Sequence, residues 1–254
     1  MRAPILTALT LLLVGTFAPE IRASEVSVCM ESWPPYYTLN DDGVAVGAAV
    51  DALDVALGEA GHEASYLVLP YGRCMQQVRL GKIDAVLTLS PGETGFVYVG
   101  IPLAYWEIAA VVHKDDPIQR FKSLDQFDGY TLVYYTSYSY PESLANLMSR
   151  PNAIGIPAQE DTLQPLRIIQ SRARHFAVVD RIWVKRVVRE EGLEISVLEP
   201  PIATQPNYLA FSRQQADLAE TIERSLRRMS SDGRLQRIYE RHIDVVSNNA
   251  PGGS

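Results

Sequence analysis

Two hydroxyl side chains, Thr88 and Ser90, lie at the end of the most strand-like segment of the chain. Residues 83–89 are almost all apolar, which is typical of a parallel strand covered by helices on both faces. Ligands of open α/β sheets bind just outside the carboxyl ends of the strands. The two hydroxyls are therefore placed to form hydrogen bonds with a small molecule. The structural alternative is an ordinary core strand that ends in a turn at Pro91.

Residue types that serve catalysis or metal binding show little organisation in this sequence. No Gly-x-Ser-x-Gly segment and no phosphate-binding glycine loop occurs. The histidines also lack the paired spacing of a metal site. We therefore expect no enzymatic activity, no cofactor and no metal. The four histidines are His62, His113, His175 and His242.

The amino terminus has the features of a secretory signal. Arg2 gives a basic start, an apolar run extends to Ala18, and Ala23 offers a small residue for cleavage. The apolar run is shorter than the roughly 20 residues that a membrane span needs. We therefore expect residues 1–23 to be a signal peptide cleaved near Ala23, and the remaining chain to be periplasmic. The net charge of −7 argues against a nucleic-acid partner.

The chain has two cysteines, Cys29 and Cys74. Cys29 ends the first predicted strand, and Cys74 lies at the beginning of the helix that follows the second strand. Those two places are neighbours in a doubly wound sheet, and an exported chain meets an oxidising compartment. We expect a disulfide; two buried thiols packed as small hydrophobes are the alternative.

Strand and helix patterns alternate along the chain, which predicts an α/β protein. Two breaks in composition, at residues 113–117 and 200–207, indicate two crossings between lobes. We expect a discontinuous first lobe, an inserted second lobe and a flexible tail. Their predicted limits are 24–112 with 208–245, 115–205, and 246–254.

Six short segments, in this order, are similar to those of one family. The chain resembles the bacterial extracellular solute-binding proteins of family 3, which have the type II periplasmic binding protein fold. The resemblance implies two lobes, each a doubly wound and mostly parallel sheet, that close on a small solute in the cleft between them. It also implies delivery to an ABC permease in the inner membrane by a monomeric protein. The segments are Trp33-Pro34-Pro35-Tyr36, Gly47 with Asp51, 81–85, 123–125, 137–140 and 232–235.

The resemblance also implies which positions contact the solute. Several of these residues have structural alternatives: Trp33 and Tyr36 can pack their own loop, whereas Ser137, Ser139 and Asp180 can cap helices. The implied positions and their polar neighbours give the candidate ligand-binding residues. These are Trp33, Tyr36, Tyr71, Arg73, Thr88, Leu89, Ser90, Glu93, Ser137, Tyr138, Ser139 and Asp180.

One departure from the family bears on the charge of the solute. Amino-acid binders of the family carry an arginine after the third strand that pairs with the ligand carboxylate. Glu93 stands there in this chain, and Arg73 can replace the arginine only if it faces the cleft. The surrounding aromatic rings attract cations. We therefore expect a small polar solute that is amino-acid-like, amine-bearing or otherwise cationic, rather than a simple dicarboxylate. Asp180 is expected to bind its positive group.

Two other functions remain open for a chain that resembles this family. Periplasmic cyclohexadienyl dehydratases share the fold, and there Glu93 or Asp180 would act as a general acid. A sensor partner would instead present its ligand to a membrane receptor. Prephenate turnover would distinguish the enzyme from the binders, and an adjacent permease gene would distinguish transport from sensing.

Overall fold

The computed structural model describes residues 24–157 and 163–248, which form a mixed α/β protein of two lobes. The predicted signal peptide lies outside the described residues, as do residues 249–254 of the predicted tail. No helix in the two described ranges is long and apolar enough to cross a membrane. The strands are β1 (Ser24–Met30), β2 (Thr38–Leu39), β3 (Ala45–Val46), β4 (His62–Val68), β5 (Ala85–Leu89), β6 (Phe96–His113), β7 (Thr131–Tyr135), β8 (Ile154–Ile156), β9 (His175–Asp180), β10 (Ile195–Val197) and β11 (Ala203–Ser212).

Within residues 24–157 and 163–248, seven α-helices cover the sheet, and short 3-10 helices occupy Leu124–Phe127 and Arg213–Gln215. The last helix continues to Asn248, so it includes the first residues of the predicted tail. The helices are α1 (Ala48–Glu59), α2 (Tyr71–Arg79), α3 (Glu142–Met148), α4 (Gln164–Ser171), α5 (Arg181–Glu191), α6 (Ala216–Ser231) and α7 (Arg234–Asn248).

The main sheet has the strand order β4-β1-β5-β11-β6-β9-β7-β8, and β10 pairs with β6. β1 pairs in parallel with β4 and β5 at one end, and β7 pairs in parallel with β8 and β9 at the other. The antiparallel strands β6 and β11 run through the middle and join the two groups. We call β1–β5 with α1, α2, α6 and α7 the first lobe, and β7–β10 with α3–α5 the second lobe.

Strand register directs the carboxyl ends of both lobes toward one place. Leu89 at the end of β5 pairs with Tyr208, which in turn pairs with Pro102 of β6. Asp180 at the end of β9 pairs with Ile108, only a few residues farther along β6. The loops that follow these strands therefore face each other across the middle of β6, where an α/β fold binds its ligand.

Each lobe has its own hydrophobic core on both faces of its strands. In the first lobe, Leu53 and Leu87 belong to the core under α1, α6 and α7, while Val78 belongs to a smaller core under α2. In the second lobe, Phe127 and Phe176 stack at 4.0 Å between ring centroids on one face. Leu166 and Val184 pack on the other face. Burial on both faces explains why these strands are almost continuously apolar.

Some predicted elements differ from the structure. The apolar segments 96–99 and 106–112, which strand patterns predict as two separate extended segments, form one strand, β6. β11 pairs along its first part, and β9 and β10 pair along its last. Pro102 is tolerated because the β6–β11 register shifts beside its partner Tyr208. The N-cap position of α3 is occupied by Pro141 and not by Ser137 or Ser139.

The predicted limits of the two lobes stay a prediction. Tyr208–Ser212 pairs with β5 and β6, as expected for a strand that returns to the first lobe. β11 begins earlier, however, at Ala203, within the range predicted for the second lobe. The crossing is therefore made by a continuous strand rather than by a loop.

Candidate functional site

A cavity of about 260 Å³ lies between the lobes, beside the carboxyl ends of β1, β5 and β9. Residues of both lobes and of the central strands line it. The lining residues are Glu31, Ser32, Trp33, Pro34, Tyr37, Tyr71, Thr88, Ser90, Trp106, Tyr135, Tyr138, Ser139, Val179, Asp180, Trp183 and Asn207.

Glu31 is the acidic residue that the first lobe contributes to this cavity. It directly follows β1, so the parallel strand places it at the cavity edge of the sheet. Burial raises the pKa of its carboxyl group from 4.5 to about 7, and a hydrogen bond from the Tyr71 backbone opposes this rise. Burial thus favours the protonated form of Glu31.

Asp180 is the acidic residue from the second lobe. Its Oδ1 accepts a hydrogen bond of 2.7 Å from the Trp183 backbone N–H, which caps α5. Its Oδ2 accepts a bond of 3.3 Å from Trp33 Nε1, which belongs to the first lobe. Burial raises the pKa of Asp180 to about 6 despite these two bonds, and the nearby charge of Glu107 adds to the rise.

Neither carboxyl group is matched by a basic residue at the cavity. Among the described residues, no lysine or arginine lines it. Arg181 directly follows Asp180, yet its guanidinium pairs with Glu107 and with Glu199, the latter at 3.1 Å. Buried carboxyl groups without a cation are costly to ionise, which is the physical cause of both raised pKa values.

Hydroxyl and amide groups form the floor of the cavity at the end of β5. The hydroxyl of Thr88 hydrogen-bonds that of Tyr37. Ser90 donates from its backbone N–H to the Tyr71 hydroxyl at 3.3 Å and from Oγ to Asn207 Oδ1 at 3.1 Å. Many of these polar groups are therefore already hydrogen-bonded within the protein.

Aromatic rings from both lobes make up much of the wall. Tyr71 of the first lobe meets Tyr138 of the second at 6.1 Å between ring centroids, nearly edge to face. Tyr138 also contacts Trp106 of β6 at 5.9 Å. Trp33 packs against the cores of both lobes. Such ring faces attract ammonium groups by about 0.5–2 kcal/mol each when suitably placed.

The predicted disulfide Cys29–Cys74 forms directly behind this wall, with 5.6 Å between the Cα atoms. Cys29 lies two residues before Glu31, and Cys74 lies three residues after Tyr71 in α2. The backbone N–H of Leu69 also donates to the carbonyl of Met30 at 3.0 Å. The disulfide thus fixes the beginning of α2 against the end of β1, which sets the relative position of two cavity residues.

Residues 26–245 match the sequence family described as bacterial extracellular solute-binding proteins, family 3. The chain belongs to this family. No curated protein sequence is significantly similar to it.

Solved structures share the fold of this family 3 protein at low sequence identity. A histidine kinase sensor domain with similarity to periplasmic binding proteins superposes with a TM-score of 0.74 and 17% identity, covering 87% of this chain and 96% of that chain. An ancestral arginine-binding protein bound to arginine superposes with a TM-score of 0.71 and 18% identity, covering 87% of this chain and 98% of that chain. A mutant of ArgBP from T. maritima gives 0.70 and 15%, with 87% and 96% covered.

The structure places the predicted ligand residues of this family 3 protein in different environments, and their ligand roles stay a prediction. One group lines the cavity. It comprises Trp33, Tyr71, Thr88, Ser90, Tyr138, Ser139 and Asp180.

The other predicted residues lie outside the cavity lining. Tyr36 is buried, and its hydroxyl donates to the Tyr105 carbonyl at 3.1 Å. Leu89 is fully buried in the core under α2. Arg73 is exposed on α2, and Ser137 is half-buried in the turn before α3. Glu93 lies at the edge of the cleft, where it contacts Arg79 and Ser139.

Several cavity residues were not predicted from the sequence. Glu31 could have been found, because it is the first residue after β1 and carboxyl ends of strands bind ligands. The others gave no local signal, because they lie within strands, turns or helices that sequence patterns describe only as structural. They include Tyr37, Trp106, Tyr135, Trp183 and Asn207.

Proposed function

We propose that this family 3 protein is a periplasmic, monomeric binding protein that captures an amine-bearing solute between its lobes and delivers it to an ABC importer. The observation that carries the proposal is the pair of carboxyl groups at one cavity, Glu31 from the first lobe and Asp180 from the second. No basic side chain from the described ranges lines that cavity.

Electrostatics favour a cation between these two groups. Burial disfavours the charged form of each carboxyl, as their raised pKa values indicate. An ammonium group would favour the ionised form of both carboxyl groups. It would donate charge-assisted hydrogen bonds to a carboxylate of each lobe. Because the two carboxyl groups belong to opposite lobes, a solute that contacts both stabilises the closed arrangement.

Aromatic rings support the same solute class. Trp33, Trp106 and Trp183 line the cavity together with several tyrosines. They exclude water and offer ring faces to the cation and to the apolar part of the solute. A dicarboxylate would instead meet two acidic groups and apolar walls.

A solute library measured by thermal shift tests the proposal. Amines and basic amino acids should raise the melting temperature, since a ligand that binds the native state adds RT ln(1 + [L]/Kd) to the stability. Glu31→Gln and Asp180→Asn should reduce these shifts, whereas Glu63→Gln, at an exposed acid on β4, should not. Shifts only with dicarboxylates or neutral sugars would contradict the proposed solute class.

A sensor role is the second candidate, because the fold also occurs in a histidine kinase sensor domain. In that case the same solute would bind, but closure would be read by a membrane receptor instead of a permease. Solute uptake in a strain that lacks this protein distinguishes the two roles: loss of uptake supports transport. When prephenate is incubated with the protein, the prephenate should remain unchanged, because we propose binding and not catalysis.

A further inference from the structure

Glu93 and Ser139 make a direct hydrogen bond between the lobes. Glu93 belongs to the loop between β5 and β6, on the side of the first lobe. Ser139 belongs to the segment before α3 in the second lobe. Ser139 Oγ donates to Glu93 Oε1 at 2.6 Å. The bond is charge-assisted, and such bonds are about twice as strong as neutral ones.

The first lobe holds the Glu93 loop in place from several sides. Arg79 of α2 contacts Glu93 Oε2 with Nη2 at 3.3 Å and donates from Nε to the Thr94 carbonyl at 3.1 Å. The Tyr98 hydroxyl lies 3.2 Å from the Glu93 carbonyl and 2.8 Å from the Ser90 carbonyl. The carboxylate is therefore presented to the second lobe by a positioned loop, with one oxygen on Arg79 and the other on Ser139.

Ser139 is held from the side of the central strands. Its carbonyl accepts a hydrogen bond of 3.3 Å from Gln205 Nε2 of β11. Its hydroxyl is not used to cap α3, whose N-cap is Pro141. Ser139 lines the cavity and also an outer groove of about 480 Å³ that includes Glu93 and Glu142. The Glu93–Ser139 bond thus lies at the boundary between the cavity and this groove.

Several hydrogen-bond donors around the cavity are already bonded to acceptors of the protein itself. Trp33 Nε1 and the Trp183 N–H both donate to Asp180, and Ser90 Oγ donates to Asn207. Ser139 Oγ donates to Glu93. A solute carboxylate needs hydrogen-bond donors of this kind. Where a donor is already bonded to Asp180 or Glu93, the solute carboxylate would instead lie next to an acidic group.

We propose that Glu93 bridges the lobes through Ser139 and, in doing so, disfavours a solute carboxylate, so that the site prefers amines that lack one. This inference rests on the proposed function for its solute class. The bridge itself is a property of the lobes and exists whatever the solute is. Glu93 is on this view a closure and specificity residue that does not touch the solute.

Small-angle X-ray scattering tests the bridge without any solute. Glu93→Ala and Ser139→Ala should each increase the radius of gyration of the ligand-free protein, because an interaction made only between closed lobes is lost. The double variant should resemble either single variant, since both remove the same bond. Glu142→Ala, at an exposed acid of the same groove, should match the original protein. Unchanged scattering in Glu93→Ala, or additive effects of the two substitutions, would overturn the bridge.

Calorimetry with matched probes tests the selectivity. Agmatine and arginine differ by one carboxylate, as do 1,4-diaminobutane and ornithine. The original protein should bind the member of each pair without the carboxylate more tightly. Glu93→Ala should weaken agmatine binding roughly tenfold, because closure of the lobes is weakened. It should also reduce the preference for agmatine over arginine, because the Ser139 hydroxyl becomes free to donate to a solute carboxylate.

Two results would overturn the selectivity, and they differ from a failure of the proposed function. Tighter binding of arginine than of agmatine by the original protein would show that a solute carboxylate is accepted. If the ratio of agmatine affinity to arginine affinity is the same in Glu93→Ala as in the original protein, Glu93 does not determine the specificity. If none of the four amines binds, the proposed solute class fails and the selectivity fails with it, while scattering still decides whether the bridge exists.

Discussion

The indole N–H of Trp33 donates to Asp180 Oδ2 at 3.3 Å, from the first lobe to the second. The other oxygen of Asp180 caps α5 through the Trp183 N–H at 2.7 Å. Asp180 therefore combines a local role, at the beginning of its helix, with a contact between lobes. Its carboxylate also lines the cavity, where burial holds its pKa at about 6. A substitution that removes the charge and keeps the cap separates these roles.

Asp180→Asn should weaken amine binding tenfold or more and leave the melting temperature nearly unchanged. Asparagine caps a helix about as well as aspartate, and the neutral amide avoids the cost of burying a charge. The loss of affinity reflects a charge-assisted bond replaced by a neutral one. Calorimetry and thermal unfolding measure the two effects, with the exposed Asp115→Asn as control. Unaltered affinity would restrict Asp180 to capping.

Amine affinity should increase as the pH rises from about 5 to 7.5. The pKa values of Asp180 and Glu31, about 6 and about 7, mean that both groups gain negative charge over this window. An ammonium solute keeps its charge there. Calorimetry in buffers of different ionisation enthalpy should detect proton release on binding near pH 6.5. In Glu31→Gln the increase in amine affinity at the higher end of this pH range should disappear. If the affinity of the original protein does not change with pH, neither Glu31 nor Asp180 binds the amine.

Glu31→Gln should stabilise the solute-free protein at pH 7.5 and have little effect near pH 4. Burial raises the pKa of Glu31 from 4.5 to about 7, so the native state binds more protons than the unfolded state. Its contribution to stability therefore falls as pH rises through that interval and is lowest above pH 7. We expect a gain of about 1–3 kcal/mol at pH 7.5 from urea unfolding. Equal effects at both pH values would contradict this origin.

Replacing both cysteines by serine should lower the free energy of unfolding and weaken solute binding. Closing the loop between Cys29 and Cys74, separated by 45 residues, contributes up to about 4 kcal/mol in the chain-entropy model. The bond also fixes Tyr71 of α2 near Glu31. Intact mass should show two hydrogens missing from the original protein. Equal affinity with and without the disulfide would restrict it to stability.

Gly47→Ala should destabilise the protein by about 2 kcal/mol or more. Gly47 has a φ of 132°, and an added Cβ would lie 2.4 Å from the Tyr36 carbonyl oxygen in the aromatic loop beside the cavity. Gly58 gives a matched control within α1, because a Cβ there meets nothing within 4 Å. Gly58→Ala should stabilise by about 0.5–1 kcal/mol. Similar unfolding midpoints for the two variants would contradict the close approach at Gly47.

Local patterns were sufficient for the order of elements and for many site positions. Apolar runs with helical or strand spacing predicted an alternating α/β chain, because burial of one or both faces requires those periods. The carboxyl-end rule and the family resemblance together pointed to Thr88, Ser90 and Asp180, which line the cavity. Neighbouring ends of β1 and α2 also made the disulfide predictable.

Sequence alone determined the fold, the family and the polar ends of the strands, since each depends on short-range pattern or on motif order. Tertiary structure decided which side chains meet. Glu93 contacts Arg79 and Ser139 at the edge of the cleft, which no sequence pattern indicated, and its predicted ligand role stays a prediction. Trp106 and Asn207 reach the cavity only because the long strands β6 and β11 cross between the lobes. Contacts between residues far apart in the chain depend on strand register and lobe closure, which no local pattern encodes.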